Sequence, residues 1–464
     1  MQYLRLVAVS LSVTLVASTI PRAESQVPTF PAADTLHSTG THDTRSFGQA
    51  ARGVFLAAFI PYSYNRWVRH VPWAQTTLAS WGANLSSGWK WDTDHFLANQ
   101  FAHPYQGSFY YSAARSSNYS FWHAAPFALA GSAMWEYFGE RFPPSLNDMV
   151  NTTLGGITLG EVTYRLAGAA STTSDGRPWL FRRIAATALN PERAFAGTTD
   201  NADVNDDPSG VRLPGISAHM EVGAQRLVSG GFGALGEGSS YPFVYASLVY
   251  GDPFAGDVTK PFGAFRVDMS VAGGRLAELR ALGFLADHVL DADGPTRRQF
   301  ALAMHYHYYD NRAYQGGGQG FSGGLLSDHD LGHHTRLRTE VWVTGLVLTA
   351  IRSDHGPSPD SVANETARNY DYGSGIGARF LVLLTHRGRP LLDMAYQTFW
   401  VGVLSGTAQN HYYDTWSICS EIPLFANAAF GARALMYHRI SNYAHYPTVH
   451  RSDPQLRVFL ATDW

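Results

Sequence analysis

The chain has 464 residues, with 34 Lys+Arg against 37 Asp+Glu and a formal net charge of −3. Only 15% of residues are charged while 13% are aromatic, a balance that excludes intrinsic disorder and leaves no basic excess for a nucleic-acid partner. Cys419 is the only cysteine, so neither an internal disulfide nor an all-cysteine metal site can form.

The first segment reads as a cleaved secretory signal over 1–23. Arg5 supplies the leading charge, 6–20 is apolar, and Pro21-Arg22-Ala23 offers a cleavage site. That apolar run is short of the roughly 20 residues that cross a bilayer. Residues 24–46, rich in Thr, Ser, Pro and Ala, read as a flexible linker. The longest later apolar run, 122–135, is broken by His123, Pro126 and Ser132, so no transmembrane helix is expected.

Residues 47–200 are expected to form a helical domain. One helix covers 47–67 with an interruption at Pro61, a second covers 93–103 and stops at Pro104, and an apolar third covers 121–140. After Pro143-Pro144, Ser145 and Asp148 have the spacing of a capping box. Glu161 and Arg165 stand four apart, which predicts a surface ion pair. An amphipathic helix over 178–195 precedes a polar linker at 201–214.

The most specific motifs lie in this domain. Trp89-Lys90-Trp91-Asp92-Thr93-Asp94-His95-Phe96 is followed by Asn99-Gln100-Phe101-Ala102-His103-Pro104-Tyr105-Gln106-Gly107. Further on come Tyr110-Tyr111-Ser112-Ala113-Ala114-Arg115, the run from Gly131 to Glu140, Pro144-Ser145-Leu146-Asn147-Asp148 and Gly155-Gly156-Ile157-Thr158-Leu159-Gly160-Glu161. Together they resemble the signature of the bacterial domain-of-unknown-function family 3943, closely over 47–200 and more loosely beyond. The resemblance implies an envelope setting and brings no reaction with it.

Asp92, His95, Asn99 and His103 are spaced three, four and four apart, which on a helix lines a carboxylate, two imidazoles and an amide along one stripe. Glu136 and Asp148 fall on the following helices, with Asp94, Glu140 and Asn147 beside them. Such a group can bind a divalent metal or orient a histidine as general base, which makes His95, His103, Glu136 and Asp148 the candidate catalytic residues. The same residues can equally form a buried structural network, with Asp92 as an N-cap and Asp148 completing a cap. Whether the chain is an enzyme stays open, and no cofactor is indicated. Gly155, Gly156 and Gly160 suit close helix contact rather than phosphate binding, since no strand precedes them.

From residue 215 the period changes to two. Leu302, Met304, Tyr306 and Tyr308 share one face, with Ala301, Ala303, His305 and His307 on the other. Phe265, Val267, Met269 and Val271 likewise oppose Arg266 and Asp268, and Leu337, Val341 and Val343 oppose Arg336, Arg338 and Glu340. This is the lipid-out, lumen-in pattern of an outer-membrane barrel. About twelve runs are expected, or ten if two weak ones fail, over 215–464. Tyr241, Tyr306, Tyr308, Trp400 and Trp416 are candidates for interface girdles. Leu456, Val458, Leu460, Thr462 and Trp464 share a face in the final run, which resembles the C-terminal signal read by the barrel-assembly machinery.

The expected fold is α+β: a helical domain, plugging the barrel or capping it from the periplasm, followed by an antiparallel barrel of about twelve strands. The partners expected are outer-membrane lipid and the assembly machinery. Three functions compete: an envelope structural or transport role, an outer-membrane enzyme acting on lipid or a lipid-linked substrate, and a soluble periplasmic β-rich binding protein.

Overall fold

The computed structural model describes residues 45–171, 180–193, 215–228, 238–254, 260–291, 294–311, 313–355, 368–425 and 427–463. The signal expected at 1–23, nearly all of the linker at 24–46, the linker at 201–214 and Trp464 lie outside the described residues.

Twelve antiparallel strands close into one barrel. They are β1 (Ile216–Val228), β2 (Gly238–Tyr250), β3 (Phe265–Ala272), β4 (Arg275–Asp291), β5 (Thr296–Asp310) and β6 (Gln315–Gly332). The circuit continues with β7 (Thr335–Arg352), β8 (Tyr370–His386), β9 (Arg389–Ser405), β10 (Ala408–Phe425), β11 (Ala428–Tyr443) and β12 (Val449–Asp463). Closure is made by β1 and β12, in register from His219↔Asp463 to Leu227↔Gln455. All twelve expected runs are strands, because alternation is a property of the extended backbone itself.

The two faces separate as expected. Leu456, Val458 and Leu460 are exposed on β12, while Arg457, Phe459 and Ala461, which alternate with them, are buried. Arg266, Arg280, His305, Trp342, Arg379 and Phe399, from six different strands, converge on one cavity, which can only be the lumen. That lumen is filled. Two cavities between its side chains measure about 20 and 60 Å³, room for a few water molecules. Asp268 is held between Arg266 at 2.9 Å and Arg280 at 3.1 Å. At one mouth the segment after β2 turns inward and sets Phe254 under the Arg297 and Arg338 guanidiniums, 5.4 and 4.9 Å from its ring centre.

Seven helices precede the barrel among the described residues: α1 (Phe47–Ser63), α2 (Leu78–Ser86), α3 (His103–Arg115), α4 (Phe121–Met134), α5 (Leu146–Val150), α6 (Gly156–Ser171) and α7 (Leu180–Leu189). Four π-helical turns continue or precede them, at Tyr64–Val68, Ala98–Ala102, Trp135–Gly139 and Asn151–Gly155. None of the helices is long and apolar enough to cross a membrane. α3 and α6 pack at backbone contact: a Cβ on Gly156 would meet the Gly107 backbone at 2.5 Å, and one on Gly107 would meet the Thr152 carbonyl oxygen at 1.9 Å. The glycines therefore serve close approach, as expected.

The helices do not plug the lumen. They lie against the outside of the barrel wall. On β5, His305 and His307 face the lumen, where His307 Nε2 meets Tyr413 Oη at 3.2 Å. Tyr306 and Tyr308 alternate with them and so point outward, yet both are fully buried, because Gln100, Phe96 and Phe101 cover them. These tyrosines are a helix-docking surface and not an interface girdle.

The covered residues follow the strand registers. Tyr308 is level with Leu279 on β4, Gly317 on β6 and, one and two strands further, Ala350 on β7 and Tyr372 on β8. Barrel strands are tilted, so a band running perpendicular to them crosses the wall obliquely rather than ringing one rim. On the same strands the outward face reopens within a few residues, at Leu302, Phe321, Val347 and Ile376.

Three local expectations are corrected. Pro104 does not end a helix; the π-turn at Ala98–Ala102 runs directly into α3, and the widened turn accommodates the proline's missing N–H. Ser145 makes no side-chain cap, and its hydroxyl turns instead to Asn147. Glu161 and Arg165 are not a surface pair. Glu161 is wholly buried between Arg165 at 2.7 Å and Arg115 at 2.8 Å.

Candidate functional site

Three of the four π-turns bring one buried polar residue each to a common junction between the helices and the wall: Asn99, Glu136 and Asn151. A π-turn admits one extra residue per turn, which rotates a side chain off the helical stripe. Such turns recur at functional sites.

Asn147 is the hub. Its Oδ1 accepts from the Asp92 backbone N–H at 2.8 Å and the Ser145 hydroxyl at 3.0 Å. Its Nδ2 donates to Asp148 Oδ1 at 2.8 Å and to Tyr372 Oη at 3.0 Å. Asn99 Nδ2 donates to Asp92 Oδ2 at 2.9 Å and to Tyr370 Oη at 2.7 Å, and the Tyr370 hydroxyl donates to the Asp94 carbonyl. Asn151 Nδ2 donates to the Asn99 carbonyl, and its Oδ1 accepts from Gln319 of β6 at 2.6 Å. Glu136 Oε2 accepts from the Ser145 N–H at 2.8 Å, and Glu140 Oε1 from Trp135 Nε1 at 2.7 Å. His103 Nε2 stands 3.8 Å from Asp148 Oδ1.

The structure thus gathers Asp92, Asn99, His103, Glu136, Glu140, Asn147 and Asp148. It does not gather His95, whose side chain is exposed, nor Asp94, which takes part through its backbone. The expected single stripe fails because Asp92 and His95 precede the first helical residue, Phe96, and the π-turn at Ala98–Ala102 then interrupts the 3.6-residue period before His103. The wall partners Tyr370, Tyr372 and Gln319 were not legible in the sequence, nor was Arg368, just ahead of β8, which donates to the Asp92 carbonyl at 3.2 Å. The only signal of the wall partners was Tyr or Gln where a lipid-facing residue belongs.

Acidic groups crowd this dry junction. Burial, and then Asp148 and Glu140, push the Glu136 carboxyl well above its usual range. Burial and Asp92 do the same to Asp148. Glu140 is pushed up to about 8, chiefly by burial and with Asp92 and Asp148 adding to it, while His103 pulls the other way. Raising a carboxyl favours its protonated form, which can act as a hydrogen-bond donor or an acid. Glu161 is the contrast: burial raises it, but Arg115 and Arg165 outweigh burial and lower it.

A closed antiparallel barrel with an apolar exterior and a charged, packed interior is a β-barrel of the outer-membrane type. Residues 88–192, which include every helical residue of the junction, match the family described as Domain of unknown function (DUF3943). No curated protein matches the sequence. Among solved structures, the NanC porin aligns over 52% of this chain and 98% of its own at 7% identity, with a TM-score of 0.28. The outer membrane channel DcaP of Acinetobacter baumannii aligns over 54% and 96% at 6% identity, TM-score 0.22. An anion-selective porin from Comamonas acidovorans aligns over 54% and 99% at 7% identity, also at 0.22. At these scores the barrel rests on its own strand pairing.

Proposed function

We propose that this is an exported outer-membrane protein with a structural role, in which the barrel wall carries the helical domain as a fixed companion. The observation that supports this best is the burial of outward-facing Tyr306, Tyr308, Gln319, Tyr370 and Tyr372 beneath the helices. A wall meant for lipid alone has no use for a glutamine and three tyrosine hydroxyls, those of Tyr306, Tyr370 and Tyr372, bonded to another domain. The packed lumen speaks for a structural role over transport. In this reading the signal at 1–23 directs export, and the final strand ending in Trp464 engages the assembly machinery.

The test has two arms. Purified protein should migrate differently in SDS before and after boiling, and should show no steady conductance in a planar bilayer. Equal mobility would count against the barrel in a membrane; a stable open current would restore transport.

A second reading is an enzyme acting on lipid or a lipid-linked substrate, favoured by the three π-turns and by carboxyls raised above their usual range beside His103. Under it, Glu136→Gln and His103→Ala should abolish an envelope-lipid change while heat-modifiability stays normal. Loss of the folded helical domain in both variants would instead favour the structural network.

A further inference from the structure

The lumen holds a second polar group, remote from the junction, at the seam where the barrel closes. His219 and Glu221 of β1 meet Glu421 of β10 there, and their donor atoms all lie within 4.8 Å of one another. His219 Nε2 is 3.3 Å from Glu421 Oε1 and 3.5 Å from Glu221 Oε1. Around a tetrahedral zinc ion with ligands at about 2.0–2.1 Å, neighbouring donors stand roughly 3.3–3.4 Å apart. The two measured separations are of that size.

Two further observations point to a cation. His219 Nδ1 is 2.8 Å from Asp463 Oδ1. That is the carboxylate–imidazole arrangement which fixes the tautomer of a metal-binding histidine and frees its Nε2 lone pair. Here the freed nitrogen faces the Glu221 and Glu421 carboxylates. Glu221, wholly buried, also has an oxygen, Oε2, with no hydrogen-bond partner among the described residues. Arg433 donates to Glu221 Oε1 at 2.6 Å and to Asp393 at 3.1 Å. Arg433 therefore serves two carboxylates and Arg457 also bears on Glu221, while Glu421 and Asp463 have His219, and no arginine, as ion-pair partner among the described residues. The Glu421 side chain has room to lean toward β1 because its cross-strand neighbour is Gly431, where a Cβ would come within 3.1 Å of Glu421 Cγ.

We propose that His219, Glu221 and Glu421 form a binding site for a divalent transition-metal ion of the zinc type, with Asp463 as the positioning residue behind His219. The ion ties β1 to β10 across β12 and β11, and so fastens the barrel where its first and last strands meet. The open fourth position takes water, and Asp463, 38% exposed at the rim, marks the entry path.

The experiment uses the full mature chain without a histidine tag, extracted in detergent, stripped with a chelator and titrated with Zn²⁺ or Co²⁺ alone. One equivalent should bind, and Co²⁺ should give visible absorption bands of a low-coordinate N/O site. His219→Ala and Glu421→Gln should each remove that equivalent, and Asp463→Asn should weaken it about 10–100-fold. Zn²⁺ should raise the temperature at which the barrel loses its SDS-resistant form, in the native chain and not in Glu421→Gln. Glu421→Gln keeps the test sound, since Glu221 variants strand Arg433 and can fail to fold. Failure to bind a stoichiometric ion, or binding that survives both His219→Ala and Glu421→Gln, overturns the proposal and leaves a protonated His219 as the seam's cation.

Discussion

Tyr372, on the outward face of β8, accepts a hydrogen bond from Asn147 at 3.0 Å although the two are 225 positions apart in the chain. One buried amide therefore joins the helical domain to the barrel wall, while its other atom holds the Asp92 N–H and the Ser145 hydroxyl.

Truncating the hub should cost more than truncating its partner. Asn147→Ala leaves the Asp92 N–H and the Ser145 hydroxyl without their acceptor, at about 1–3 kcal/mol for each buried group stranded. Tyr372→Phe removes one hydrogen bond from an amide still satisfied by Asp148, and should cost about 1 kcal/mol. Urea unfolding with limited proteolysis of the helices measures both; equal costs would contradict a hub role for Asn147.

Glu161→Gln should be among the most damaging single substitutions in the helices. It leaves Arg115 and Arg165 buried around a neutral amide, and breaking a buried ion pair in this way costs about 3–5 kcal/mol. The helical domain should become protease-sensitive while the barrel keeps its SDS-resistant form. A fully protected Glu161→Gln domain would mean that the Tyr119 and Pro261 carbonyls alone suffice to hold Arg115 and Arg165.

The junction should loosen as pH rises. The Glu140 carboxyl, raised chiefly by burial to about 8, binds a proton in the folded state at pH values where the unfolded chain has lost it. Stability then falls with pH between the ordinary carboxyl range and about 8, and levels off above it. Proteolysis of the helical domain should quicken from pH 5 to pH 9, and Glu140→Gln should flatten that slope. A steeper slope in the variant, or stability that rises with pH, would reverse the assignment.

Val343, exposed on β7, is expected to meet lipid. Val343→Arg should hinder folding into liposomes by about 2–4 kcal/mol if it sits near the midplane. Thr344, on the lumen side, gives the control for changing the neighbouring position. Equal tolerance at both would place β7 outside a bilayer.

Much of this protein was legible in local sequence. The twelve strands could be counted, and Arg266, Asp268, Arg336, Arg338 and Glu340 assigned to the lumen, because side chains alternate on any extended chain. The candidate site was half legible. Asp92, Asn99, His103, Glu136, Glu140, Asn147 and Asp148 do meet, whereas His95 was placed with them by assuming a helix that in fact begins only at Phe96 and is interrupted by the π-turn at Ala98–Ala102.

What alternation cannot say is which outward faces meet lipid and which meet protein. Leu302 and Tyr306 share one face of one strand, yet Leu302 is 48% exposed and Tyr306 is fully buried. Near-neutral composition, strand number and the sense of each face were thus determined by the sequence alone, since they follow from covalent geometry and side-chain type. The docking of the helices on the wall, the buried place of Glu161, the filling of the lumen and the meeting of His219 with Glu421 were decided only by tertiary structure. Each depends on which distant segments the closed register brings together.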